Sequence, residues 1–281
     1  MFQSVPVRDK EGAMSPADLS AYLARLGLAA APPADLAGLA ALQRAHRLAI
    51  PFENLDVRLG RGISIAPDAV FDKLVTRRRG GYCFEQNQLF GSALAALGFS
   101  FRPLLARVWA GGAAEVPART HTFSLVALDG RQWVADAGFG ANYAPPMPLE
   151  DGAEVAGDDG ARHRFRIDPD HGWMLERLAE GESDWPPQYS FTLDRVFPID
   201  LALSNHWTSS APGSRFVLLN IVSRVLPDGL VSLTGARLSR HRREGREESE
   251  IASPEAYREA LADLFGIRLD ADEVARLGLF E

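Results

Sequence analysis

The sequence predicts an α+β fold in which helices come first, a β-rich middle follows, and the chain closes on a hairpin and further helices. Three observations predict it. The first hundred or so residues carry helix-length apolar patterns set between caps and breakers. From residue 102 onward the runs are short, rich in β-branched and aromatic residues, and separated by turn formers. The last thirty residues return to capped helical patterns.

The elements follow in order. Residues 1–14 read as a loose extension. "SPADLSAYLARLGL" opens with Ser15 as N-cap and Pro16 at the first helical position. "PADLAGLAALQRAHRLAI" is a second helix, stopped by Pro51. "DAVFDKLVTRR" is a third, closed by Gly80 and Gly81, and a fourth runs from Tyr82 to Gly98. "RPLLARVWA", "HTFSLVAL", "QWVADAGF" and "QYSFTLDRVF" read as strands. Asp129-Gly130 and Asp228-Gly229 each sit between strand-like runs and signal hairpins. "EDGAEVAGDDG" (150–160) is acidic and glycine-rich and reads as an exposed loop. Ser253 and Pro254 start a helix through "SPEAYREALADLF", and "DADEVARLG" is the last.

Composition bounds the function. The 281 residues suffice for a large core, and 46% apolar with 24% charged residues is ordinary for a soluble globular protein. A net charge of -7 gives no basic face for nucleic acid. One cysteine cannot form an internal disulfide. The polar N-terminus lacks a signal-peptide core and no apolar run spans a bilayer, so a cytoplasmic location, with no membrane partner, is expected. No P-loop, G-x-G-x-x-G after a strand, H-E-x-x-H or C-x-x-C is present, so metal and dinucleotide chemistry have no support.

The lone cysteine, Cys83, lies in "RRRGGYCFEQNQLF". Two glycines allow a tight approach to a helix whose first turn holds it. A helix N-terminus and Arg77, Arg78 and Arg79 would favour a thiolate, with Glu85 opposing or capping. A thiolate nucleophile needs a base, and the base an orienting group. Of six histidines, His46, His163, His171 and His241 have solvated or structural readings. His121 stands out. With Asp129-Gly130 as a two-residue turn, paired residue numbers sum to 259, so Asp136 opposes Phe123. His121 and Asp136 then share one face of the hairpin as a diagonal pair.

"RGGYCFEQN" (79–87), "PFENLD" (51–56), "HTFSLV" and "ADAGFG", in that order and with 38 and 15 residues between Cys83, His121 and Asp136, resemble the arylamine N-acetyltransferase family. The resemblance runs from about residue 15 to about 270 and is strongest up to 140. It implies an N-terminal helical domain (1–98), a central β-barrel-like domain (99–204) and a C-terminal α/β lid (205–281), around a cysteine-protease-like Cys-His-Asp core. It also implies a catalytic triad of Cys83, His121 and Asp136, with Arg79 paired to Glu53 and Asp56. Acetyl-CoA would be the co-substrate and a small aromatic amine or hydrazine the acceptor. CoA contacts are implied for Trp207, Gly213 and Ser214 in "NHWTSSAPGSRF" and for Phe139 and Gly140. Arg240, Arg242, Arg243 and Arg246 are candidates for its phosphates, and Phe52, Phe84, Phe139 and Trp109 for an apolar acceptor slot. Three other readings stay open on the same residues: an amide synthase using a carrier-bound acyl chain, a cysteine hydrolase or transglutaminase-like enzyme, and a binding module with a structural cysteine.

Overall fold

The structure, a computed structural model, describes residues 14–113, 115–140, 143–242 and 245–280. Helix α1 (Pro16–Leu26) forms because Ser15 accepts the amide of Asp18 at its start and Gly27, at φ 75°, closes its end. Helix α2 (Leu36–Ala49) begins three residues later than its apolar pattern, because Asp35 caps it through the amide of Gly38. After Pro51 come a two-residue strand, β1 (Phe52–Glu53), and a single turn, α3 (Leu55–Arg58). Neither is long enough to leave a sequence period. The third predicted helix is α4 (Pro67–Phe71) continued by a π-helical turn, Asp72–Thr76. Helix α5 (Cys83–Ala96) has Cys83 as its first residue.

Strands β2 (Ser100–Val108), β3 (Arg119–Leu128), β4 (Arg131–Ala135), β5 (Met147–Pro148), β6 (Glu154–Ala156), β7 (Arg162–Asp168), β8 (Gly172–Leu178) and β9 (Pro187–Phe191) make one antiparallel sheet. Its order is β5-β4-β3-β2-β9-β8-β7-β6. The two edge strands, β5 and β6, are consecutive in the chain, and the amide of Gly152 in their linker donates to Phe165 of β7. The sheet therefore curls into a nearly closed barrel. The segment 150–160, read as loop, contains the short strand β6. Leu104, Phe123, Val134, Phe165 and Phe191 fill the interior.

Helix α6 (Pro198–Ser210) and the turn α7 (Arg215–Leu218) follow. The second sheet is β1-β10-β11-β12-β13, with β10 (Ile221–Leu226), β11 (Gly229–Thr234), β12 (Arg237–Arg242) and β13 (Gly245–Glu250). In the β10–β11 hairpin Leu226 pairs with Gly229, so the turn residues are Pro227 and Asp228, not Asp228 and Gly229. Helices α8 (Pro254–Phe265) and α9 (Ala271–Arg276) cover this sheet. Tyr257, Leu261 and Phe265 pack on Val222, Val231 and Leu233.

The three segments are tied together. β1 pairs with β10 through Phe52–Ser223, and Leu55 and Leu59 belong to the C-terminal core. The expected boundary between residues 204 and 205 lies inside α6.

Candidate active site

Cys83 occupies the first turn of α5 because its approach is too crowded for side chains. A Cβ on Gly80 would sit 2.3 Å from the Pro51 carbonyl oxygen, and one on Gly81 would sit 2.8 Å from the Glu85 carboxylate. The glycines supply room, not an unusual φ. Beneath them Tyr22 donates to His46 Nδ1 (2.7 Å) and His46 Nε2 donates to Gln86 Oε1 (2.5 Å). Gln86 Nε2 in turn donates to the carbonyls of Pro51 (2.9 Å) and Gly81 (3.1 Å). Burial drives the His46 pKa down to about 3, so this chain is neutral and structural.

The arginines before Cys83 do not face it. Arg79 bonds Glu53 (Nε–Oε1, 2.9 Å) and Asp56 (3.3 Å), the pairing that the sequence implied. Arg77 pairs with Asp72 at the surface. Lys73 bridges Asp56 (2.8 Å) and Glu85 (2.7 Å). Glu85 accepts the amide of Tyr82 (3.1 Å) and so caps α5. Burial is the main cause that pushes the Cys83 thiol up, and the Asp136 charge adds to it. Backbone amides of Phe84 and Thr122 oppose the rise. The low thiol pKa expected from the helix terminus and arginines is not what this environment alone produces. A thiolate here depends on a base.

His121 and Asp136 are brought together by the predicted register: Ser124 pairs with Ala135 and Leu128 with Arg131. His121 Nε2 lies 2.6 Å from Asp136 Oδ2. That bond puts the proton on Nε2 and leaves the Nδ1 lone pair free to accept one. Asp136 is buried, which would raise its pKa. His121, the Gly138 amide (2.8 Å) and Asn87 Nδ2 (3.1 Å) outweigh that and hold it below the usual carboxylate range. Asn87 also donates to Thr122 O (2.7 Å) and accepts the Ala137 amide (3.1 Å), joining α5 to both strands of the hairpin. Tyr189 packs on His121, ring centroids 5.2 Å apart.

Cys83 and His121 line one cavity of about 420 Å³ between the barrel and the second sheet. Phe139, Gly140, Trp207, Gly213 and Ser214, all singled out by sequence, line it too, with Trp207 46% exposed at the mouth. Of the proposed slot residues, Phe52 and Phe139 face the cavity. Phe84 packs against Tyr82 and Leu201 instead. Trp109 packs tilted against His171, ring centroids 4.8 Å apart, and donates to Ser190. The arginine run does not reach the cavity: Arg242 lies 3.6 Å from Asp228, Arg246 pairs with Glu248, and Arg240 is not in the lining. Arg243 lies outside the described residues. The arginine that does line the cavity is Arg215. Sequence reasoning missed it, and also Asn87 and Tyr189. Asn87 left a signal, since it stands one helical turn after Cys83 on the same face.

Among the described residues no cluster of three or more His, Cys, Asp or Glu could hold a metal ion, and no helix is long and apolar enough to cross a membrane. A family model described as N-acetyltransferase matches residues 35–274. The arylamine N-acetyltransferase of Mycolicibacterium smegmatis is 38% identical over 259 residues, covering 90% of this chain and 92% of the relative. The Salmonella typhimurium enzyme named arylamine N-acetyltransferase / N-hydroxyarylamine O-acetyltransferase is 35% identical, covering 89% and 88%. Among solved structures, the Salmonella typhimurium arylamine N-acetyltransferase superposes with a TM-score of 0.88 at 32% identity, covering 95% of this chain and all of that one. The Mycobacterium marinum enzyme in complex with CoA superposes with a TM-score of 0.86 at 33% identity, covering 94% and 100%. On this likeness, which spans nearly the whole chain, the protein belongs to the arylamine N-acetyltransferase family of acyltransferase enzymes.

Proposed function

We propose that this protein acetylates aromatic amines and hydrazines, and the oxygen of arylhydroxylamines, by a ping-pong reaction through an acetyl group on Cys83. The observation that carries the reading is that Cys83 shares one cavity with His121, whose Nε2 is bonded to Asp136. His121 Nδ1 takes the thiol proton, and Asp136 stabilises the imidazolium. The thiolate sulfur attacks the thioester carbonyl of acetyl-CoA, the bond to the CoA sulfur breaks, and that sulfur leaves with the proton from His121. The acceptor nitrogen then attacks the acetyl-cysteine and gives its proton to His121, and the amide leaves as the thiol reforms. Thioester-to-thioester exchange is nearly isoenergetic, so the acetyl group stays activated. Arylamines are neutral at pH 7, which suits an acceptor wall of Phe52, Phe139 and Phe216 without an anionic group. Trp207, Gly213, Ser214 and Gly140 are the candidate contacts for CoA, and exposed Arg215 for its phosphates.

The test is mass spectrometry after incubation with acetyl-CoA alone. An acetyl adduct on the Cys83 peptide is expected, absent in Cys83→Ala. Asp136→Asn should lose on the order of a hundredfold or more in turnover, because it withdraws the group that fixes the tautomer and stabilises the imidazolium. Arylamine acetylation by Cys83→Ala at the parent rate would end the proposal.

A further inference from the structure

The buried cations in the helical part of the chain have carboxylate partners, with one exception. Lys73 and Arg79 sit in the Glu53–Asp56–Glu85 network. Arg47 is 5% exposed and, among the described residues, has no carboxylate within 4.0 Å. Its Nη2 donates to the Gly140 carbonyl at 2.6 Å, its guanidinium lies 4.5 Å from the Tyr143 ring centroid, and its Nε has no hydrogen-bond partner among the described residues. Leaving a full charge buried in this way is costly unless a field compensates it.

The place of Arg47 identifies the field. One turn earlier on α2, Gln43 accepts the Asp136 amide (3.0 Å) and donates to the Ala144 carbonyl (2.9 Å). The two side chains grip the loop that carries the triad aspartate. Arg47 also borders a small void whose walls Phe52, Gly140 and Ser223 are shared with the active-site cavity. Burial works to lower the Arg47 pKa, and the charged and titratable groups that oppose this are Tyr143, Asp136, Asp159 and Tyr189. Asp159 is already paired with Arg177 at 2.8 Å. Buried His46 and His163, driven down by desolvation to about 3 and about 4, are neutral. Arg44 is bonded to Asp158, and Glu85 on α5 to Lys73. The carboxylate left without a cation of fixed charge is Asp136.

We infer that Arg47 is the buried counter-charge of the Cys83–His121–Asp136 group, a positioning residue that acts through the Gly140 loop and through space. This rests on the reading of those three residues under Proposed function. With neutral thiol and imidazole the group carries one negative charge, and with thiolate and imidazolium it still carries one. Arg47 neutralises it in both states. Removing a fixed cation favours the protonated form of every nearby group, so both apparent pKa values of the pair move up together.

The experiment measures, against pH, kcat/KM for acetyl transfer and the rate of iodoacetamide alkylation at Cys83. Arg47→Gln keeps a donor for Gly140 without the charge, and Arg47→Lys keeps the charge. Both limbs of the Arg47→Gln profile should move to higher pH by about half a pH unit or more, and Arg47→Lys should bring them back. Arg47→Met, read the same way, replaces Arg47→Gln should that variant fold poorly by circular dichroism. Limbs that stay in place while only the amplitude falls, or an Arg47→Lys profile displaced as far as Arg47→Gln, would overturn the inference. Failure of the parent protein to form acetyl-Cys83 would instead sink the acyl-cysteine reading itself.

Discussion

Gly138 shows at the residue scale how closely the site is built. It follows the aspartate by two residues and lies against the first turn of α5. A Cβ there would come within 2.5 Å of Asn87 Nδ2 and 3.0 Å of both the Cα and the carbonyl oxygen of Cys83. Two of those three atoms are backbone and cannot rotate away. Gly138→Ala should therefore push the aspartate loop off the nucleophile helix. The cost should be about 1–3 kcal/mol in stability, and turnover should fall further than the affinity for CoA. Denaturant midpoints and steady-state kinetics check this, and a variant with parent kcat would show that the loop has slack. Gly138 was legible only as a member of "ADAGFG". What makes it glycine are atoms of Cys83 and Asn87, both more than fifty positions away, which no local pattern records.

At the element scale, α5 is held by ions, with few exposed surfaces of its own. Eleven of its fourteen residues are buried, polar Glu85, Gln86, Asn87 and Ser92 among them, so it is covered almost all round and cannot be aimed by an amphipathic stripe. Orientation comes from its N-terminus, where Glu85 caps the helix and Lys73, from the π-helical turn, ties Glu85 to Asp56 of α3. Lys73→Met should leave two buried carboxylates without that partner. A loss of about 3–5 kcal/mol is expected, with alkylation of Cys83 less selective as α5 loosens. Chemical denaturation and peptide mapping read the two effects. A stability within experimental error of the parent would mean that Arg79 and Arg61, each 3.3 Å from Asp56, suffice. "PFENLD" and "RGGYCFEQN" pointed to Arg79 and Glu53, but Lys73 sat unremarked in a helical pattern. Helix α6 was missed for the opposite reason. Its Ile199, Leu203 and Trp207 are exposed while buried Asn205 and Thr208 are polar, so the pattern of an inward apolar face is absent.

At the scale of the whole molecule, the same buried ions make stability depend on acid. Burial works to raise the Asp56 carboxyl, but Lys73 and Arg79 outweigh it and hold it at about 2. Asp136 is likewise held down by His121 and its donors. A carboxylate depressed in the folded state contributes stability that is fully present above its unfolded pKa of about 3.9 and is lost as pH falls toward the folded value. Unfolding midpoints should begin to fall below about pH 6.5, where buried His46 and His163 resist protonation in the fold, and the part that Asp56 carries should be steady down to roughly pH 4 and be lost between there and about pH 2. Asp56→Asn should be less stable at neutral pH and flatter over that acid interval. An equal acid slope in parent and variant would remove Asp56 from the account.

The sequence by itself determined the coarse run of helices, a β-rich middle and closing helices, the caps of α1 and α8, the hairpin register that places His121 and Asp136 on one face, and five cavity residues found through resemblance. These depend on neighbours close in the chain or on motifs whose spacing is itself the message. Only the tertiary structure decided which cations face which carboxylates, that Arg240, Arg242 and Arg246 are not in the cavity lining while Arg215 is, and that Arg47 is buried with no carboxylate partner among the described residues. Charge is read through space. Its effect depends on burial and on distances set by packing three distant stretches together, and neither quantity is written in the linear order of residues.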